Sequence, residues 1–214
     1  MARALARLAG LFIYLAIAGQ AIADEAAAGR LAQLLAGVDS FSADFVQTTL
    51  NANGRAVRTQ RGSMHIARPN RFRWEVTTPL PLLVVSDGED VYIYDKDLAQ
   101  VTISDLDPGQ IDTPAILLSG DTSLVSKSFA VVEEARGGDN HSAFGLTPLN
   151  PSSPYTSIRL TFRQKALVEI EMKDSFGQFS IVEIATRELN QPLDEAVFRF
   201  QIPDHVDVFR NDLP

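Results

Sequence analysis

Hydrophobic positions recur along this chain with two different periods, and the switch between them marks out its elements. Over residues 24–38, Leu31, Leu34, Leu35 and Val38 fall three or four residues apart, the spacing of one helix face. Asp24 can cap that helix, Glu25 suits its first turn, and Gly37 stands near its end. The stripe is narrow, which predicts a helix lying on a surface rather than inside a bundle. From Phe41 the period becomes two. Phe41, Ala43 and Phe45 alternate with Ser42 and Asp44, and Asn51-Ala52-Asn53-Gly54 predicts a hairpin turn. Met64 and Ile66 share one face of the next strand. Phe72, Trp74 and Val76 then alternate with Arg71, Arg73 and Glu75, the cleanest amphipathic strand in the chain. An apolar strand over 82–86, a turn at Asp87-Gly88 and a strand over 90–94 continue an antiparallel meander.

The middle of the chain interrupts this rhythm. Residues 105–112 are acidic and turn-forming with no strand pattern. Thr113-Pro114 then opens an apolar run to Leu118, with a cap residue followed by proline at the first helical position. Flanked by Gly120, this predicts a small helix packed on the sheet. Strands are expected again at 129–132, 143–147, 157–162, 167–172, 178–188 and 196–201, separated by turns at Gly137-Gly138, 150–154 and Phe176-Gly177. No linker, composition shift or fixed-period repeat divides the chain. The pattern predicts one domain of mainly β structure, a large antiparallel sheet with two or three helices.

The first 23 residues follow different rules. Arg3 and Arg7 form a basic start, residues 8–18 an apolar run, and Ala21-Ile22-Ala23 an A-x-A site before Asp24. This is the grammar of a cleaved secretory signal peptide, too short for a spanning helix. The mature domain is therefore expected over 24–214, exported and soluble, since without Cys there is no lipobox. Losing Arg3 and Arg7 takes the basic count from 19 to 17 against 27 acids, a net charge of −10. Such a surface repels nucleic acid and anionic membranes, so no nucleic-acid partner and no stable membrane insertion are expected.

Candidate chemistry is sparse. With no Cys, thiolate zinc sites, iron–sulfur clusters and cysteine nucleophiles are excluded. Asp105-Leu106-Asp107-Pro108-Gly109 fails as a calcium loop, because glycine comes one place early and the twelfth position is Ile116. His65, His141 and His205 lie in separate segments, and paired carboxylates (Asp95 with Asp97, Glu133 with Glu134) have nothing to place them across a cleft. A secreted hydrolase has no motif to support it. No catalytic residue, metal or cofactor is expected. The informative feature is apolar: twelve Phe, four Tyr and one Trp, mostly on strands, with few helices to cover the sheet. Pattern alone leaves two readings of the inner face open, a plain core and a hydrophobic groove for an acyl chain.

A resemblance chooses between them. RPNRFRWEV followed by VSDGEDVYIYDKDLAQV, with VDSFSADFVQ, DTPAILLSGD, FGLTP, MKDSFGQFSIVEI and FRFQIPDHVDV in order, resembles the periplasmic outer-membrane lipoprotein carrier family, LolA, across residues 24–214. The resemblance implies a single-domain, strongly curved unclosed antiparallel β-barrel with a helical lid over a hydrophobic cavity. It implies a monomeric, ATP-independent periplasmic chaperone and no enzyme. Such a chaperone receives acylated lipoproteins from the inner-membrane transporter LolCDE and delivers them to the outer-membrane receptor LolB. Arg68 falls on the family's arginine that holds the lid closed. Phe72, Trp74 and Val76 are then expected at the acyl-chain cavity or its mouth, with Leu31, Leu34, Leu35, Ile116 and Leu117 as lid residues. Arg71 and Arg73 depart from the family pattern and suggest a basic rim near the mouth. A carrier of another lipid or glycolipid on the same fold would share every apolar feature.

The processing reading has a direct check. Intact-mass measurement of periplasmic material should give a chain beginning at Asp24, and a mature species retaining Met1 would overturn export.

Overall fold

The computed structural model describes residues 25–106, 114–134 and 140–211. The expected signal peptide, most of the acidic loop, the turn at Gly137-Gly138 and the side chain of Ile116 lie outside these described residues. Helix α1 covers residues 25–36. The strands that follow are β1 (Ser40–Leu50), β2 (Ala56–Ala67), β3 (Arg71–Thr78), β4 (Leu82–Asp87), β5 (Asp90–Asp95) and β6 (Gln100–Asp105). Helices α2 (Pro114–Ser119) and α3 (Val125–Ser128) flank a 3-10 turn, Thr122–Leu124. Strands β7 (Phe129–Glu134), β8 (His141–Pro148), β9 (Tyr155–Arg163), β10 (Ala166–Asp174) and β11 (Phe179–Leu189) complete the meander, and β12 (Asp207–Asn211) ends it.

All twelve strands join one curved sheet in the order β12-β6-β5-β4-β3-β2-β1-β11-β10-β9-β8-β7. Its edges, β12 and β7, do not pair with each other, so the barrel is unclosed. The long strand β1 is the spine, pairing with β2 on one side and β11 on the other. Its inward residues Phe41, Ala43 and Phe45 are all buried. Strand β3 keeps the same alternation, with Phe72 fully buried and Val76 3% exposed.

The order of strands dictates the lid. Strands β6 and β7 are consecutive in the chain but lie near opposite edges of the sheet. The segment between them must therefore cross the inner face, and α2 and α3 sit on that crossing. Ala115, Leu117, Leu118 and Val125 press downward from it, while α1 buries Ala27, Leu31 and Leu35 against the same core. At the far end of α1, Asn190 binds it to β11. Its Oδ1 accepts from the Asp39 amide at 2.8 Å, and its Nδ2 donates to the Gly37 carbonyl at 2.9 Å.

Three elements depart from the sequence expectation. Strand β6 lies where none was expected, although Val101 and Ile103 alternate and are buried. It is short and hemmed in by the acidic loop, which hid its period. The strand expected at 196–201 is a 3-10 turn, Glu195–Phe198, because Asp194 caps it by accepting from the Ala196 amide at 2.9 Å. Phe198 and Phe200 do alternate, but they pack on Arg71 and on Tyr92 and Tyr94 rather than joining a ladder. Finally, β12 pairs parallel with β6, the one exception to an otherwise antiparallel sheet.

Gly62 is the tightest point on the inner face. A Cβ there would stand 2.0 Å from the Glu75 carbonyl oxygen and 2.7 Å from the Phe45 ring. Glycine leaves room for that ring, which lies against Trp74 with centroids 4.3 Å apart. Gly62→Ala should lower stability by about 3 kcal/mol, since neither a backbone carbonyl nor a packed ring can retreat cheaply. Chemical denaturation would measure it, and a loss below about 0.5 kcal/mol would contradict this packing.

Candidate functional site

Between the sheet and the lid lies an apolar hollow of about 170 Å³. Phe72 and Trp74 of β3 and Leu82 and Val84 of β4 form one wall. Gln47, Tyr155 and Met172 face them from β1, β9 and β10, and Ala115 of α2 roofs the space. A second, smaller apolar hollow lies towards the Arg68 end, between Leu35 and Val38 on the lid side and Phe41, Ile66, Phe162 and Leu167 of the sheet region.

Arg68 stands at the junction of both lid segments. Its Nε donates to the Val38 carbonyl at 2.8 Å, and its Nη1 donates to the Gly120 carbonyl. Val38 lies just beyond α1 and Gly120 just beyond α2. Carbonyls at helix C-termini lack intrahelical donors and carry partial negative charge, so a cation is their natural partner. The backbone repeats the clasp: the Arg68 amide donates to the Asp39 carbonyl and the Asn70 amide to the Ser119 carbonyl, each at 2.9 Å. One guanidinium nitrogen, Nη2, is buried with no hydrogen-bond partner among the described residues. Burial pushes the Arg68 pKa down, and the carboxylates of Asp39 and Asp121 push it back up. A guanidinium stays protonated through such shifts, where a lysine could lose its charge.

The other expected residues divide. Phe72 and Trp74 wall the larger hollow. Leu35 lines the smaller one, while Leu31 and Leu117 are buried in the core beneath the lid and Leu34 packs on its margin. Val76 is core, 3% exposed, and is not among the residues walling either hollow. Arg71 and Arg73 sit on the opposite face of β3 from Phe72 and Trp74, so they make no rim around this hollow. Arg73 pairs with Glu75 at 2.9 Å, and Arg71 lies over the Phe198 ring at 5.7 Å. The sequence reading missed Gln47, Leu82, Val84, Ala115, Tyr155 and Met172. Their strands or helix were foreseen, but which residues meet across a curved sheet depends on its curvature.

A larger depression, about 920 Å³, is elsewhere. It is an open saddle on the outer face, bordered by Asp44, Arg61, Arg163, Glu183 and Arg187. Charge and solvent access make it unfit for a lipid, and Arg187 already pairs with Asp44. Among the described residues, no group of three or more His, Asp or Glu could hold a metal ion. Among them, too, no helix is long and apolar enough to cross a membrane.

Known proteins match this architecture over most of its length. A conserved protein of uncharacterized function from Thermus thermophilus superposes with a TM-score of 0.51 at 12% identity, covering 84% of this chain and 98% of its own. That similarity speaks to the fold alone. Two proteins named outer-membrane lipoprotein carrier protein are closer in sequence. The one from Chromohalobacter salexigens is 41% identical over 92% of each chain. The one from Hahella chejuensis is 35% identical, over 90% of this chain and 92% of its own. The profile of the family described as outer membrane lipoprotein carrier protein LolA matches residues 36–201. With its unclosed sheet, its helical cover and its apolar hollow, the chain belongs to the LolA family of outer-membrane lipoprotein carriers.

Proposed function

We propose that this protein is a periplasmic, non-enzymatic carrier that shields the acyl chains of lipoproteins between two membranes. In this reading it accepts cargo from the inner-membrane LolCDE transporter and yields it to the outer-membrane receptor LolB. The observation that carries the proposal is Arg68, which clasps both lid segments over an apolar hollow through carbonyl contacts. The clasp has to open before a chain enters, and it re-forms when the chain leaves.

The energetics require such a device. Each buried methylene is worth about 0.8 kcal/mol, so a chain of ~16 carbons represents on the order of 12 kcal/mol of exposure to water. A carrier must remove that cost yet still release its cargo. Re-forming the Arg68 bonds stabilises the empty state and so favours release. Binding energy held in the closed lid is energy withheld from the cargo complex.

Arg68→Leu should remove charge-assisted bonds of roughly 1.5–3 kcal/mol from the closed state alone. Loading of a lipoprotein should survive while transfer to the receptor falls about ten-fold or more. A reconstituted transfer assay reads both steps, and normal transfer after normal loading would reject the latch.

Trp74 supplies a second test, since it walls the hollow and is the only Trp. Titration with an acylated lipopeptide should shift its emission saturably. Ala115→Leu projects into the hollow and should weaken that binding at least several-fold with little loss of thermal stability. Silent emission in the wild-type protein would refute an acyl site on this wall.

A further inference from the structure

The strand register places five hairpin tips at one end of the sheet: residues 51–55, 79–81, 96–99, 149–154 and 175–178. Four of the five expose one large apolar side chain: Leu80 at 55%, Leu98 at 68%, Leu149 at 56% and Phe176 at 82%. Solitary exposed hydrophobes are ordinary on any surface. One on each of four tips at a single end is a pattern. Proline brackets Leu80 on both sides, and Asp174 accepts from the Phe176 and Gln178 amides at 2.9 and 2.8 Å, so these tips are built rather than loose.

The same end frames the apolar hollow. Leu82 opens β4 two residues after Leu80, Tyr155 opens β9 directly after its tip, and Met172 lies two residues before the end of β10, whose tip carries Phe176. Charge singles out this end as well. In a chain with 27 acids, the tips at 51–55, 79–81, 149–154 and 175–178 hold one charged residue between them, Arg55. Asp97 and Asp207 at this end stand towards the β12 edge, while Asp174 flanks the 175–178 tip and accepts from its Phe176 and Gln178 amides.

We propose that this end is a peripheral docking surface for a lipid bilayer, with Leu80, Leu149 and Phe176 entering the headgroup region shallowly and Leu98 at its margin. Three observations favour a bilayer over a protein groove. The apolar groups are dispersed on separate tips rather than massed in one patch. The four tips lack the negative charge that keeps the rest of the molecule away from anionic lipid. Three of the tips also adjoin wall residues of the hollow, Leu82, Tyr155 and Met172, so docking would hold the hollow close to the membrane at which its cargo changes hands. Docking is transient, since a few side chains on loops give far weaker attachment than a spanning helix. The inference rests on the carrier reading for its purpose, but its test uses the empty protein and needs no cargo.

The experiment is flotation of the purified, cargo-free mature protein with vesicles of mixed phosphatidylethanolamine and phosphatidylglycerol. Wild type should float with the vesicles, and a combined Leu80→Ser, Leu149→Ser, Phe176→Ser variant should bind at least ten-fold more weakly. Val132→Ser, which alters an exposed hydrophobe on β7, should behave as wild type. In a Trp74→Phe background, Phe176→Trp should show blue-shifted emission on adding vesicles. Failure of wild type to float, or equal flotation by the triple variant, overturns the proposal. Should the triple variant lose cargo transfer to the receptor while wild type never floats, the tips dock a protein and the bilayer is rejected. Loss of lipopeptide response at Trp74 would instead strike the carrier reading and leave flotation unaffected.

Discussion

An unclosed sheet of twelve strands presents an apolar inner face with no second sheet to cover it. Exposed to water, that face would cost far more than a domain's net stability. Covering it falls to three short helices, and the strand order decides where they lie. Because β6 and β7 follow each other in the chain yet sit near opposite edges, the connection between them has to traverse the open face. The lid is a consequence of topology, and its helices are held by the core beneath them, the clasp at Arg68, Asn190 at the end of α1 and the ion pair of Arg30 with Glu133 of β7.

That clasp is economical in its chemistry. A single guanidinium reaches the carbonyls left over at the ends of two helices, and the flanking backbone bonds from Arg68 and Asn70 fix its position. The bonds are charge-assisted on the donor side only, so they are firm without being permanent. Burial of Nη2 without a partner among the described residues works against the closed state and keeps it from becoming too deep. A lid locked by a full ion pair in a dry core would be harder to reopen.

Phe45, Gly62 and Trp74 show how the sheet itself shapes the hollow. Glycine at one register position lets a Phe ring lie flat across the strand and brace the Trp that walls the cavity. The outer face is organised by different forces. Glu75 gathers Arg73 and Lys96 at 2.9 and 3.1 Å, and Arg159 gathers Glu134 and Glu171 at 3.0 and 2.8 Å. Their attraction lowers the Glu75 pKa despite the burial that would raise it, and hydrogen bonding to Glu134 raises that of Arg159. Charges paired in this way keep these parts of the outside polar, whereas across β4–β6 the outer face buries Leu83, Val85, Val101 and Ile103.

Much of this was legible in the chain, because a strand's inward face is written in its own alternation. Phe72, Trp74 and Val76 against Arg71, Arg73 and Glu75 announced both the strand and its buried side, and Leu31 and Leu35 announced the helix that covers it. What alternation cannot express is distance between strands far apart in sequence. The meeting of Trp74 with Tyr155 and Met172, the exclusion of Val76 from the hollow, and the parallel return of β12 all depend on how the sheet curves. Arg68 shows the same division. Its family motif marked it as special, but the two carbonyls it binds are 82 residues apart, at Val38 and Gly120, and only the folded lid brings them together. Local pattern is set by backbone geometry residue by residue, whereas a cavity is the space left between elements, and that space exists only once they have packed.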